Sequence, residues 1–251
     1  MQPVSYRYGS DPAQFGELTL PDGAPLGVVV VLHGGFWGAR YDLSLGRPLA
    51  ADLADRGYAA WNLEYRRVGN GGGWPATFED VAAGIDLLAA LPVDASRVAA
   101  IGHSAGGHLG VWAAARACLP DGAPGAGPLV AVTGVVSQGG VLGLADCARD
   151  RLGEDAAVRL MGGGPDELPE PYRLADPMTW LPSPADVVCL HSRHDQRVPY
   201  SYSERYVAAA LAAGGRAGLV ETFGDHFTLI DPATPDWAVA VAVLPGLLSA
   251  E

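Results

Sequence analysis

The chain has little of what polyanion binding, disulfide stapling or membrane spanning is built from. Basic residues number 16 against 28 acidic ones, a formal charge of −12. That field repels polyanions and offers no basic stripe, so nucleic acid is excluded as a partner. Cysteine is scarce: Cys118, Cys147 and Cys189 are widely separated, odd in number and form no C-x-x-C pair. This excludes a disulfide framework and a thiolate metal site and fits a reducing cytoplasm. No apolar stretch approaches the roughly 18 residues needed to cross a bilayer. The opening "MQPVSYRYGSDPAQFGELTL" lacks a basic segment followed by an apolar run, so a soluble, cytoplasmic protein with no membrane partner is expected. Internal repeats, low-complexity tracts and flexible linkers are missing too. The 251 residues, 49% of them hydrophobic, are therefore read as a single domain over 1–251.

What is present is an alternation of short β-branched runs and longer amphipathic segments, the pattern of an α/β protein with a mostly parallel sheet flanked by helices. "GVVVVLHGG" reads as a buried strand ending in a glycine turn, "LAADLADRGY" as a helix closed by Gly57, and "AAWNLEY" as the next strand. "TFEDVAAGIDLLAAL" reads as a helix with Thr77 as N-cap and Val81, Ile85 and Leu88 on one face. "RVAAIGHS" is a strand running into Ser104, and "AGGHLGVWAAARA" the helix after it. "LVAVTGVVS", "DVVCLHS" and "AGLVETF" are further strands, "YSERYVAAALAAG" a helix and "DWAVAVAVLPGLLSA" one closing helix. The segment 138–184 is long, proline-rich and partly helical, an excursion over the sheet edge that shapes a pocket. "VSYRYG" and "FGELTLP" are read as an antiparallel edge pair.

Chemistry concentrates around "IGHSAGGHLG". A serine on a tight strand-to-helix turn needs small neighbours, which Gly102, Ala105, Gly106 and Gly107 supply, and it faces the free N–H groups of the helix. Ser104 is thus a candidate nucleophile. A hydroxyl at neutral pH needs a base held by a carboxylate, and six histidines compete. His103 lies in the turn and is expected to pack beneath it; His33 is expected to bond backbone. His108, four residues after Ser104, has no carboxylate nearby in sequence, and His191 and His194 read as neighbours of Asp195. Asp195 and His226 each follow a predicted strand at its carboxyl end, where open α/β sheets place ligand-binding residues. Asp225 and Asp231 are rival acids. "HGGFW" ends an early strand and is expected to donate oxyanion N–H groups from Gly35 and Phe36, joined by Ala105. Phe36, Trp37 and Trp74 are candidates to line an acyl or aryl pocket, with the loop "GNGGGWP" as a substrate contact.

The order Ser104, Asp195, His226 matches that of α/β-hydrolases. "HGGFW", "GHSAGGHL", "HDQRVP" and "GDHF" resemble these enzymes, specifically the esterase and arylformamidase-like branch, over nearly the whole chain. Kynurenine formamidases are similar in the HGG-aromatic-Trp loop, the elbow and the DHF histidine, here Phe36, Trp37, Ser104 and His226; Phe36 stands where many of them have tyrosine. Bacterial carboxylesterases close to feruloyl-esterase and prolyl-peptidase catalytic domains share the motifs, and "WNLEYRRVG" followed by "GGGWP" is more like that group. The resemblance implies a Ser104-His226-Asp195 serine hydrolase without metal or cofactor, acting on a small carboxylic ester or N-formyl aryl amide. Specific arylformamidase activity is the narrower alternative, and a ligand sensor on a hydrolase fold is the alternative of another class. The expected partner is a small ester or amide, and a homodimer is compatible with the sequence.

Overall fold

The structure, a computed structural model, describes residues 2–249. Eight strands form one sheet: β1 (Val4–Arg7), β2 (Phe15–Thr19), β3 (Val28–Leu32), β4 (Ala59–Leu63), β5 (Val98–His103), β6 (Gly134–Gln138), β7 (Asp186–Ser192) and β8 (Ala217–Thr222). Their spatial order is β1-β2-β4-β3-β5-β6-β7-β8. The pairs β1·β2 and β2·β4 are antiparallel and all others parallel. This is the α/β-hydrolase fold, and the N-terminal edge pair read from the sequence is present. From β3 the chain moves outward to β4 and then returns to place β5 on the other side of β3. The direction of winding therefore reverses between β3 and β5, and a crevice opens beyond their carboxyl ends.

Both faces of the central strands are covered, which is why β3 is an unbroken run of valines rather than an alternation. Its Val28, Val30 and Leu32 enter one core with Phe78, Val81, Leu109 and Trp112, while Val29 and Val31 enter a second with Leu49, Leu53, Trp237 and Leu244. The first core is closed by α2 (Ala76–Asp86), α3 (Ala105–Ala114) and α7 (Ser201–Ala212). The second is closed by α1 (Arg47–Asp55), α8 (Pro235–Ala242) and α9 (Leu244–Leu248).

The structure departs from the expectations at four points. Thr77 is not the N-cap of α2: the helix starts at Ala76, and the Thr77 hydroxyl accepts from Gly73 N (3.0 Å) and donates to Arg66 O (2.6 Å). A hydroxyl that ties the preceding loop to the helix has the same sequence signature as a cap. The strand predicted in "LVAVTGVVS" begins only at Gly134. The closing helix is two, α8 and α9, because Pro245 has no N–H and starts a new first turn. The excursion 138–184 is more helical than expected, containing α4 (Leu144–Arg149), α5 (Leu152–Met161) and α6 (Pro169–Ala175) on the first core.

The elbow between β5 and α3 depends on close approach. A Cβ on Gly106 would lie 2.6 Å from His33 O and closer still to Leu32 O. Gly106→Ala should therefore lower stability by about 1–3 kcal/mol or more. Gly218→Ala, where nothing lies within 4 Å, should stay within about 0.5 kcal/mol of wild type. Chemical denaturation of both variants checks this, and equal stabilities would contradict it.

Candidate active site

Ser104 joins β5 to α3 with φ 55° and ψ −116°, a sparsely populated conformation that costs on the order of 1–3 kcal/mol. The surroundings hold it there. Its N–H donates to Gln138 O (2.8 Å), and its carbonyl accepts from His108 N (3.2 Å) and Val141 N (3.3 Å). Ser104 lines a cleft of about 420 Å³, open mouth included, together with Gly35, Phe36, Tyr41, Leu45, His103, Arg197, His226 and Phe227.

Asp195 follows β7 and His226 follows β8, and the fold brings them together. His226 Nδ1 donates to Asp195 Oδ2 at 2.6 Å. Asp225 Oδ1 instead accepts from the N–H groups of Phe227 and Thr228, and Asp231 Oδ1 from Ala233 N. Asp195 Oδ1 accepts from Arg197 N (2.7 Å) and Val198 N (2.9 Å). His191 Nε2 lies 3.3 Å from Asp195 Oδ2, and its Nδ1 is 2.8 Å from Ser203 Oγ. Burial works against ionising Asp195, but hydrogen bonds from His191 and His226, with the Val198 N–H, outweigh it and hold the carboxyl well below its usual range. An ionised Asp195 fixes the proton of His226 on Nδ1 and leaves Nε2 with the lone pair.

The loop after β3 carries unusual backbone: Gly35, Phe36 and Trp37 have φ of 113°, 51° and 54°. A Cβ on Gly35 would lie 2.7 Å from the Tyr41 ring. The N–H groups of Gly35 and Phe36 donate to no group of the protein among the described residues, and Ala105, first in α3, has no intrahelical acceptor. A buried polar cluster lies beneath. His33 Nδ1 donates to Gly34 O (2.8 Å) and its Nε2 faces Glu64 Oε1 (3.1 Å). Glu64 also accepts from Leu43 N and Tyr65 N and pairs with Arg67 (2.8 Å). Burial alone would raise the Glu64 carboxyl; the bond from His33 and the backbone donors turn the balance downward. Arg67 in turn donates to Tyr41 O (2.6 Å), behind the wall of the cleft.

Two expected pocket residues are elsewhere. Trp37 is fully buried, its ring edge-on to His108 at 5.2 Å. The Trp74 ring packs on Phe78 at 5.0 Å, and its backbone N–H donates to Leu160 O (2.7 Å). The "GNGGGWP" loop thus ties α2 to α5, with the half-buried Trp74 indole packed against the edge of the first core and outside the lining of the cleft. Phe36 does line the cleft, its ring seated against Gly153 of the excursion. Sequence reasoning missed Tyr41, Leu45, Arg197 and Phe227 in the walls, and Gly139, where a Cβ would come within 3.0 Å of Asp195 Oδ2 and 3.2 Å of His226 Nδ1. The pair Gly139-Gly140 at the end of β6 was a signal of the same kind as the glycines of "HGG". Among the described residues no group of three or more His, Cys, Asp or Glu is placed to hold a metal.

His103 and His108 are struts. His103 Nε2 donates to the backbone carbonyl of His226 (2.9 Å), and His108 Nε2 to Ala175 O (3.0 Å). Burial, with repulsion from neighbouring His226, pushes His103 down to about 3, and burial pushes His108 down to about 4. Both titrate near 6.5 in an unfolded chain. As pH falls below about 6.5 the unfolded state therefore binds protons first, and stability declines until the folded rings protonate. The unfolding free energy should drop between about pH 7 and pH 5, by up to about 1.4 kcal/mol per pH unit for each ring. Denaturant titrations of wild type and His108→Phe check this: the variant should show the shallower decline, and parallel profiles would refute it.

In the comparisons with known proteins, no curated protein sequence matches significantly. Several solved structures do. A truncated carbohydrate esterase from gut microbiota superposes with a TM-score of 0.81 at 21% identity, over 98% of this chain and 97% of its own. Esterase B from Lactobacillus rhamnosis gives 0.82 at 20% identity, over 98% and 85%. Thermogutta terrifontis esterase 2, phosphonylated by sarin, gives 0.77 at 20% identity, over 99% and 97%. At such identities these likenesses establish the α/β-hydrolase fold. The family model BD-FAE matches residues 18–209, from β2 into α7 and therefore most of the chain, and the protein belongs to the BD-FAE family.

Proposed function

We propose that the protein is a serine hydrolase of small carboxylic esters that works through an acyl-enzyme. Ser104 is the nucleophile, His226 the general base and Asp195 the positioning carboxylate. The observation that carries this reading is the 2.6 Å bond from His226 Nδ1 to a buried Asp195 in the wall of the cleft that holds Ser104. With Nδ1 engaged, Nε2 is the nitrogen left to serve Ser104. Oγ attacks the carbonyl carbon while its proton passes to His226 Nε2, and the charge on the carbonyl oxygen is met by the free N–H groups of Gly35, Phe36 and Ala105. The ester C–O bond then breaks, and His226 protonates the departing alcohol. Water repeats the sequence to release the acid. Structural neighbours described as esterases, one of them phosphonylated by sarin, support the same chemistry. No metal or cofactor has a step in this mechanism. The three free cysteines fit a cytoplasmic setting, and among the described residues no helix is long and apolar enough to cross a membrane.

The narrower substrate, an N-formyl aryl amide, is a test arm. Short and bulky aryl esters and formanilide are compared with wild type and Ser104→Ala. Wild type should turn over at least one ester, and Ser104→Ala should lose roughly 10⁴-fold or more in kcat with an unchanged unfolding transition. A fluorophosphonate should label Ser104 with one adduct per chain. Retained turnover in Ser104→Ala would sink the assignment, and strong preference for formanilide would make the enzyme an arylformamidase. A stalled single acylation would favour a ligand sensor.

A further inference from the structure

The chain contains no lysine, so all 16 basic residues are arginines. Most are neutralised by carboxylates: Arg47 by Glu17, Arg66 by Asp80, Arg116 by Asp86, Arg193 by Glu221. Arg197 is different. Its guanidinium makes no hydrogen bond or ion pair with the described residues, and it lies over the Phe227 ring, 5.9 Å from Cζ to the centroid. Yet it lines the cleft beside Ser104 and His226, and lines the depression that adjoins it. Asp225 shares that depression, but its Oδ1 is turned to the N–H groups of Phe227 and Thr228.

The root of this side chain is fixed while its tip is free. The Arg197 N–H donates to Asp195 Oδ1 at 2.7 Å, so the residue is anchored to the same carboxylate that orients His226. The aromatic face offers the planar cation a resting surface and leaves its N–H edge without a partner. A guanidinium presents donors in a rigid fork that matches a carboxylate. In a chain of charge −12, an unpaired cation in the wall of the cleft selects for an anion brought by the ligand. Building on the ester-hydrolase reading above, we propose that Arg197 is a specificity-determining residue that binds a carboxylate on the substrate. The preferred substrates are then esters that carry an anionic group close to the scissile carbonyl.

The carboxylate can belong to the acyl group or to the leaving group, and two matched pairs separate these. One compares the para-nitrophenyl monoester of glutaric acid with para-nitrophenyl pentanoate; the other compares para-acetoxybenzoate with its methyl ester. For at least one pair, the ratio of kcat/KM for the anionic over the neutral member should fall about tenfold in Arg197→Gln, the scale of one charge-assisted hydrogen bond. Arg197→Lys should keep part of that ratio, and added salt should lower it in wild type. A ratio equal in wild type and Arg197→Gln for both pairs overturns the assignment. If the neutral esters are cleaved as fast by Ser104→Ala as by wild type, the ester-hydrolase reading itself has failed. Ser104-dependent cleavage with an unaltered ratio refutes only the role of Arg197.

Discussion

The site rests on a close contact between α3 and the end of β3 that leaves no room for a side chain. Gly106 meets the carbonyls of Leu32 and His33, and Gly107 runs so near Gly140 that a Cβ would come within 2.9 Å of its Cα. Only with hydrogen at these positions does the chain turn sharply enough to hold Ser104 in its strained conformation. The same contact sets the first turn of α3 beside the glycine loop that follows β3. The glycine loop after β3 and the first turn of α3 therefore lie at the same end of the sheet, because β3 and β5 flank the point where it reverses its winding.

Around this contact the loops are tied by buried polar bonds rather than by apolar packing alone. Asp195 is held by two backbone N–H groups and by His191. The loop bearing His226 is held by His103 from below and by Asp236, which accepts from Gly224 N and Thr228 Oγ1. The HGG loop is held by His33 and Glu64, and the excursion is joined to the elbow helix by His108. Buried polar groups are costly unless satisfied, so each of these loops has few arrangements open to it. Among the six histidines, His226 alone combines a carboxylate partner with a place in the cleft wall.

Much of this was legible in the chain itself. Strands read as valine-rich runs because both their faces are buried, and helices as 3.6-residue periods because one face is. Ser104, Asp195 and His226 could be picked out from their places after strands, and the structure brings the acid and the imidazole into contact. Trp37 and Trp74 were misread because an indole beside a glycine loop looks the same in sequence whether it faces a cleft or a core. Thr77 was misread because a hydroxyl near a helix start bonds whichever backbone groups the loop presents. Glu64 carries no local signal of its importance, since His33 and Leu43, which it ties to the glycine loop, lie tens of residues away.

The sequence by itself determined the fold class, the element order and the turn chemistry at Ser104, because periodicity and glycine placement are local properties of the backbone. Tertiary structure alone decided that the Trp37 ring is core, that Glu64 and Arg67 brace the glycine loop, that Gly139 lies against the Asp195-His226 pair, and that the Arg197 guanidinium stands unpaired in the cleft among the described residues. Those outcomes depend on distances between loops at the ends of different strands. Such distances follow from strand order and sheet register, which local sequence does not encode.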